Sequence, residues 1–189
     1  MRLTLPTILT LFRIALLPVM VIVFYAPFRG ANIAASAIFI AAALTDWLDG
    51  WIARRFGMHS KFGEFLDPVA DKLMVATTLF LLVQDNPTIA LAVISAIIVG
   101  REITISALRE WMAQIGERAR VRVAGIGKVK TIAQLVALVV LLYQKDLDGY
   151  GLFHVGEVLL GLAAALTIWS GLVYVRAAWP LLRGQGDRF

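Results

Sequence analysis

Four aspartates mark the place where this sequence could do chemistry. Thr45-Asp46-Trp47-Leu48-Asp49-Gly50 closes one apolar stretch, and Gly63-Glu64-Phe65-Leu66-Asp67-Pro68-Val69-Ala70-Asp71 opens the next. On a helix, Asp46, Asp49, Gly50 and Ala53 fall at i, i+3, i+4 and i+7 and form one stripe. Gly63, Asp67 and Asp71 step by four and form another. The residues from Arg55 to Phe62 suffice to return the chain at a membrane surface, which sets the two stripes face to face across a helical hairpin. Carboxylates gathered at one depth repel one another unless a cation neutralises them. Oxygen donors without nearby Cys or His suit hard ions, Mg²⁺ or Mn²⁺ rather than zinc. Two such ions shared among Asp46, Asp49, Asp67 and Asp71 would clamp a pyrophosphate and stabilise both the entering and leaving oxygens of an in-line displacement. Gly50, Ala53 and Gly63 keep the walls low enough for a substrate to approach.

Taken singly, each part has a plainer explanation. Asp67 before Pro68 reads as a helix N-cap followed by a proline at the first helical position. Asp46 or Asp49 alone reads as a partner for Arg54, and Gly50 and Ala53 alone as helix-packing residues. A cap and an ion pair do not explain four aspartates on matched faces of adjacent apolar stretches. A second polar set lies further on, where Arg101-Glu102 and Arg109-Glu110 interrupt the fourth stretch and Arg101, Ile105 and Arg109 share a face. These arginines either pair with acids and hold the bundle together or grip a substrate phosphate, for which the guanidinium fork is well shaped. Lys128 and Lys130 open the fifth stretch at the same depth and read equally as anion ligands or as anchors reaching to headgroups. Arg13 is expected to face the polar cavity, meeting either a nucleotide phosphate or a carboxylate.

The elements that must position these groups follow from composition. Of 189 residues, 60% are hydrophobic and 16% charged, against roughly 25% charged in ordinary soluble domains. With a mean hydropathy of +0.80, the chain has more apolar surface than one buried core can hide, which excludes disorder and a soluble fold. At about 20 residues per crossing, six spans are expected, at 7–26, 32–53, 63–84, 88–111, 128–144 and 152–178. The expectation is a single all-α domain over 1–189, an integral membrane bundle of six transmembrane helices. Alternate connections collect Arg54, Arg55, Lys61, Arg118, Arg120, Arg122, Lys128 and Lys130 on one side, against Arg29 and Lys145 on the other. By the positive-inside bias both termini and the aspartates are cytoplasmic. The net charge of +5 then concerns orientation and anionic headgroups rather than nucleic acid. With no cysteine there is no disulfide, thiolate ligand or cysteine nucleophile. His59 is expected to be solvated in the hairpin loop, and His154 to lie on the opposite side of the membrane.

Written continuously, the two stripes read D-x2-D-G-x2-A-R-x8-G-x3-D-x3-D, eight fixed positions over 26 residues. This resembles the signature of the CDP-alcohol phosphatidyltransferase family, whose members displace CMP from a CDP-linked donor with an alcohol. The similarity extends through Leu5-Pro6-Thr7, Leu11-Phe12-Arg13, Arg101-Glu102-Ile103, Ser106 to Trp111 and Gly127 to Thr131. The resemblance implies Asp46, Asp49 and Asp67 as main metal ligands and Asp71 as metal-adjacent general base. It implies Gly50, Ala53, Arg54 and Gly63 as the positions receiving the cytidine nucleotide, and a homodimer of six-helix subunits.

The activity expected is transfer of a phosphatidyl group from CDP-diacylglycerol to glycerol 3-phosphate at the cytoplasmic face of a bacterial inner membrane, with two Mg²⁺ or Mn²⁺ ions. Arg101, Arg109, Lys128 and Lys130 are the residues expected to hold the acceptor phosphate. The nearest rival is a sibling transferase using another alcohol, and an acceptor without a phosphate would not need Arg101 and Arg109. A cation transporter is the rival of another class, but the acids gather at one end and the outer halves of the spans offer no polar relay.

Overall fold

The computed structural model describes residues 4–57, 60–115, 124–143 and 150–184, with the backbone alone at 61, 124–129, 150 and 180–184. His59, the Arg118, Arg120 and Arg122 cluster, Lys145 and the side chain of Lys128 lie outside the described residues. Six helices run in chain order: α1 Leu5–Phe24, α2 Ala31–Phe56, α3 Lys61–Asp85, α4 Ile89–Gln114, α5 Ala124–Tyr143 and α6 Tyr150–Gly184. Among the described residues there is no strand.

Local chemistry sets the ends. Pro6 occupies the first turn of α1, where its missing N–H is not needed. Gly57, at φ 65°, ends α2 in the left-handed conformation that glycine adopts without strain. Ser60 then caps α3, its hydroxyl accepting from the Gly63 N–H at 2.9 Å, and Thr88 caps α4 by accepting from Leu91 N–H at 3.1 Å. The α2–α3 return is therefore tighter than the expected Arg55 to Phe62, because α2 continues to Phe56 and α3 begins at Lys61. Pro68 lies inside α3 rather than at its start, so Asp67 is not a helix cap.

Helices α1, α2, α4 and α6 are long and apolar enough to cross a membrane. Helix α3 is as long, but Asp67, Asp71, Lys72 and Asp85 interrupt it, and the apolar part of α5 is the shorter Lys130–Tyr143. The most extensive packing joins α1 to α2 and α5 to α6, with α3 against α1 and α4 against α6. Helices α2 and α3 also reach α5. Met20, Phe39, Leu79, Leu82, Leu91, Ile98, Leu138, Leu141 and Leu160 form a continuous core. Outward faces carry Ile22, Phe80, Ile103, Val158 and Trp169, all exposed, as expected where lipid rather than water surrounds the bundle. The bundle is thus apolar over most of its length and polar where the first halves of α1 and α3 meet the last third of α2.

Candidate active site

Helix α1 organises the polar end. Thr7, Thr10 and Arg13 follow one another at i, i+3 and i+6 and are 1%, 0% and 1% exposed, so one seam of an otherwise apolar helix is turned inward. The Arg13 guanidinium reaches three carboxylates from two other helices. Its Nη1 donates to Asp46 Oδ1 at 2.7 Å and to Asp71 Oδ1 at 2.6 Å, and its Nη2 donates to Asp49 Oδ2 at 2.5 Å. One turn earlier, Thr10 Oγ1 donates to Asp67 Oδ1 at 2.5 Å. Below that, Thr7 Oγ1 and Ser60 Oγ are 2.7 Å apart and tie α1 to the start of α3. All four aspartates of the sequence motif are therefore brought together, and each is held by α1.

The carboxylates differ in access. The Asp49 side chain is 5% exposed, lying under the guanidinium, whereas those of Asp46 and Asp71 are 45% and 52% exposed. Asp46 and Asp71 line a cavity of about 200 Å³ together with Arg13, Phe39, Glu102 and Gln134. One guanidinium against Asp46, Asp49, Asp67 and Asp71 leaves three formal negative charges uncompensated. That excess, on oxygen donors alone, fits a hard divalent cation. Among the described residues no three acids or histidines stand close enough to hold an ion in this conformation, since Arg13 occupies the point on which three of them converge. The donor chemistry fits a metal.

The expected nucleotide positions sit at the same end. Gly50, Ala53 and Arg54 occupy the last turns of α2, and Gly63 the first turn of α3. Arg54 folds back over Gly50, where an added Cβ would lie 3.2 Å from Arg54 Nη1. At Gly63 a Cβ would meet Ser60 Oγ at 2.9 Å and Thr7 Oγ1 at 3.0 Å, so this glycine already has a structural reason in the close approach of α1 to α3.

The basic residues of α4 and α5 are divided. Arg101 and Arg109 share a face, as their spacing requires, but that face meets α6 and neither lines the cavity. Arg101 Nε donates to Thr167 O at 3.1 Å and its Nη2 to Ser170 Oγ at 2.7 Å, lying against Gly171 where a side chain would crowd it. Arg109 lies over the Tyr174 ring, 5.9 Å from its centroid. The main partners of Arg101 are thus a backbone oxygen and a hydroxyl of α6 rather than the aspartates. Lys130, 5% exposed, does not line the cavity either, but it stands behind a residue that does. Its Nζ is 2.6 Å from Glu102 Oε1, at the cavity wall, with Arg101 Nη1 3.8 Å from the same oxygen. His154 is far from this end, beside Glu157 at 3.8 Å.

Thr10, Glu102 and Gln134 are site residues that sequence reasoning did not select. A signal existed: Thr7, Thr10 and Arg13 repeat at helical spacing through an apolar span, and Lys130 and Gln134 stand four apart in another.

A six-helix membrane bundle whose α2–α3 hairpin gathers four aspartates around α1, two of them on one cavity, defines the class. The chain belongs to the CDP-alcohol phosphatidyltransferase family, whose model matches residues 3–169. It is 46% identical over 184 residues to a Pseudomonas fluorescens protein named CDP-diacylglycerol–glycerol-3-phosphate 3-phosphatidyltransferase, covering 97% of this chain and 94% of that one. Proteins of the same name from Sodalis glossinidius (strain morsitans) and Yersinia pestis (strain Pestoides F) are 49% identical over 178 residues and 48% over 179. These alignments cover 94% and 95% of this chain, and 96% and 97% of the relatives.

Proposed function

We propose that this protein transfers the phosphatidyl group of CDP-diacylglycerol to the primary hydroxyl of glycerol 3-phosphate, giving phosphatidylglycerophosphate and CMP. The observation that carries the reading is the convergence of Asp46, Asp49 and Asp71 on one guanidinium beside an open cavity. The near-full-length similarity to proteins named for this reaction supports the acceptor.

An alcohol is a poor nucleophile, so a carboxylate must accept its proton as the oxygen attacks. Asp71 suits that task, since it is half-open to the cavity and lies deeper along α3 than Asp67. The hydroxyl oxygen bonds to the phosphorus bearing diacylglycerol. The bond from that phosphorus to the bridging oxygen breaks, its electron pair leaves with CMP, and the hydroxyl proton passes to Asp71. Asp46, Asp49 and Asp67 would hold divalent cations, two Mg²⁺ or Mn²⁺ in this reading, with Asp71 at their edge. Such ions supply Lewis-acid stabilisation of the diphosphate charge. Gly50, Ala53, Arg54 and Gly63, at the hairpin end, form the wall against which the cytidine nucleotide lies. For the acceptor phosphate the best-placed cation is Lys130, backed by Arg101 across Glu102. Lys128 opens the same helix, while Arg109 secures α6. The reading carries with it a homodimer in the bacterial inner membrane with its site toward the cytoplasm, supported by the sidedness of the Lys and Arg residues.

Purified protein in detergent, given CDP-diacylglycerol and a panel of alcohols, should release CMP with glycerol 3-phosphate and only when a divalent cation is present. Asp71→Asn should lower kcat by about 100-fold or more while leaving the KM for glycerol 3-phosphate within a few-fold. Near-wild-type turnover of Asp71→Asn at saturation would remove the general-base assignment.

A further inference from the structure

Among the polar residues that line the active-site cavity, Gln134 has a buried group that the transfer chemistry does not use. Gln134 lies on α5 one turn after Lys130, on the buried side that continues into Ala137, Leu138 and Leu141. It is 5% exposed and lines the same cavity as Asp46 and Asp71. Its Oε1 is buried without a hydrogen-bond partner. A buried amide carbonyl left unpaired is costly, and apolar neighbours give it no compensation. Such an acceptor calls for a donor from the cavity. The cavity, about 200 Å³, is many times what a single water needs.

We propose that Gln134 accepts a hydrogen bond from the secondary hydroxyl of the acceptor and so orients its primary hydroxyl toward Asp71. This rests on the transfer reaction proposed above. The chemistry of the lining favours a polyol phosphate held lengthwise. Lys130 has three N–H donors and places one on Glu102 at the cavity lining, and in this proposal a phosphate beside Glu102 takes another. Gln134 stands one turn further into the membrane on the same helix face, where the carbon chain of an acceptor gripped at Lys130 would extend. Asp71 waits on the facing helix for the terminal hydroxyl. No proton moves to Gln134; it is a positioning residue that selects which hydroxyl attacks. Ribose also carries neighbouring hydroxyls. The residues expected to receive the nucleotide are at the hairpin end, however, and none of them lines the cavity that Gln134 lines.

The test compares glycerol 3-phosphate with 3-hydroxypropyl phosphate, which keeps the phosphate and primary hydroxyl but lacks the secondary one. Wild-type protein should prefer glycerol 3-phosphate by roughly 10- to 100-fold in kcat/KM, the range expected when a site hydrogen-bonds a substrate hydroxyl. Gln134→Leu should lose most of that preference, with kcat/KM for 3-hydroxypropyl phosphate changing less than about 3-fold, and Gln134→Glu should retain part of it. Equal losses on both acceptors would show a merely structural role and overturn the proposal. So would a wild-type protein that used the two acceptors equally well, a result that needs no variant to fold. A Gln134→Leu defect that instead tracked the 2′-hydroxyl of the donor, read with dCDP-diacylglycerol, would assign the residue to ribose and also overturn it. Absence of CMP release by wild-type protein with glycerol 3-phosphate would sink the underlying reaction. CMP release with an acceptor preference indifferent to Gln134 sinks this proposal alone.

Discussion

Arg13 is nearly inaccessible and carries three carboxylates on its two terminal nitrogens. Removing one side of a buried ion pair costs more than the pair itself contributes where the partner stays buried and uncompensated, as Asp49 would. Arg13→Gln should therefore destabilise chelator-treated protein by about 3 kcal/mol, with Mg²⁺ restoring more stability to the variant than to wild type. Thermal unfolding in detergent with EDTA and with Mg²⁺ measures both effects, and equal midpoints under chelator would contradict it. Arg13→Lys should not rescue, since a compact ammonium cannot fork to carboxylates on two helices. At this scale the sequence was readable for the acids and less so for their partners. Spacing places Asp46 and Asp49 on one face of a helix, but it does not say which neighbouring helix supplies the counter-charge. The sequence turns Arg13 toward the cavity but leaves its partner open between a nucleotide phosphate and a carboxylate. Arg101 and Arg109 show the converse. Their shared face was legible, but not that it meets α6.

Helix limits were legible where caps and glycines punctuate the chain, and less so where a helix overruns its hydrophobic stretch. Helix α2 continues past Ala53 to Phe56 because nothing before Gly57 breaks it, and Asp67-Pro68 imitates a helix start that Ser60 makes a helical turn or more earlier. Close approach between helices left no such mark. At Gly156 an added Cβ would stand 2.7 Å from Leu141 Cγ, whereas at Gly161 it would meet Ile94 Cδ1 at an ordinary 3.7 Å. Gly156→Ala should therefore strain the α5–α6 contact and destabilise by about 1–3 kcal/mol. Gly161→Ala should be neutral or slightly stabilising through helix propensity. Unfolding midpoints of the two variants should separate in that order, and a reversed order would mean that α5 and α6 do not cross at Gly156.

For the molecule as a whole, the number of helices and their order followed from hydropathy, and the family from a motif confined to one hairpin. The acceptor did not follow from that motif, which in the proposed reaction serves the donor and the metals and leaves the acceptor to α4 and α5, whose packing no local pattern reveals. The sidedness is open to direct test because the chain has no cysteine of its own. A single cysteine at Arg29, in the exposed α1–α2 turn, should react with an impermeant maleimide added outside intact spheroplasts. One at Arg55, at the other end of α2, should react only after lysis. The opposite labelling pattern would invert the topology and move the active site to the outer face.

The polar seam of α1 also bears on how the protein is made. Arg13 emerges from the ribosome well before its partners, the first 33 residues later and the last 58. A lone arginine in a span costs about 2.5–3.5 kcal/mol to insert, so α1 enters the bilayer as an incomplete element whose missing charges are still being synthesised. Its lasting place depends on the α2–α3 hairpin arriving behind it, which makes Asp46, Asp49 and Asp71 also the groups that complete membrane integration of α1.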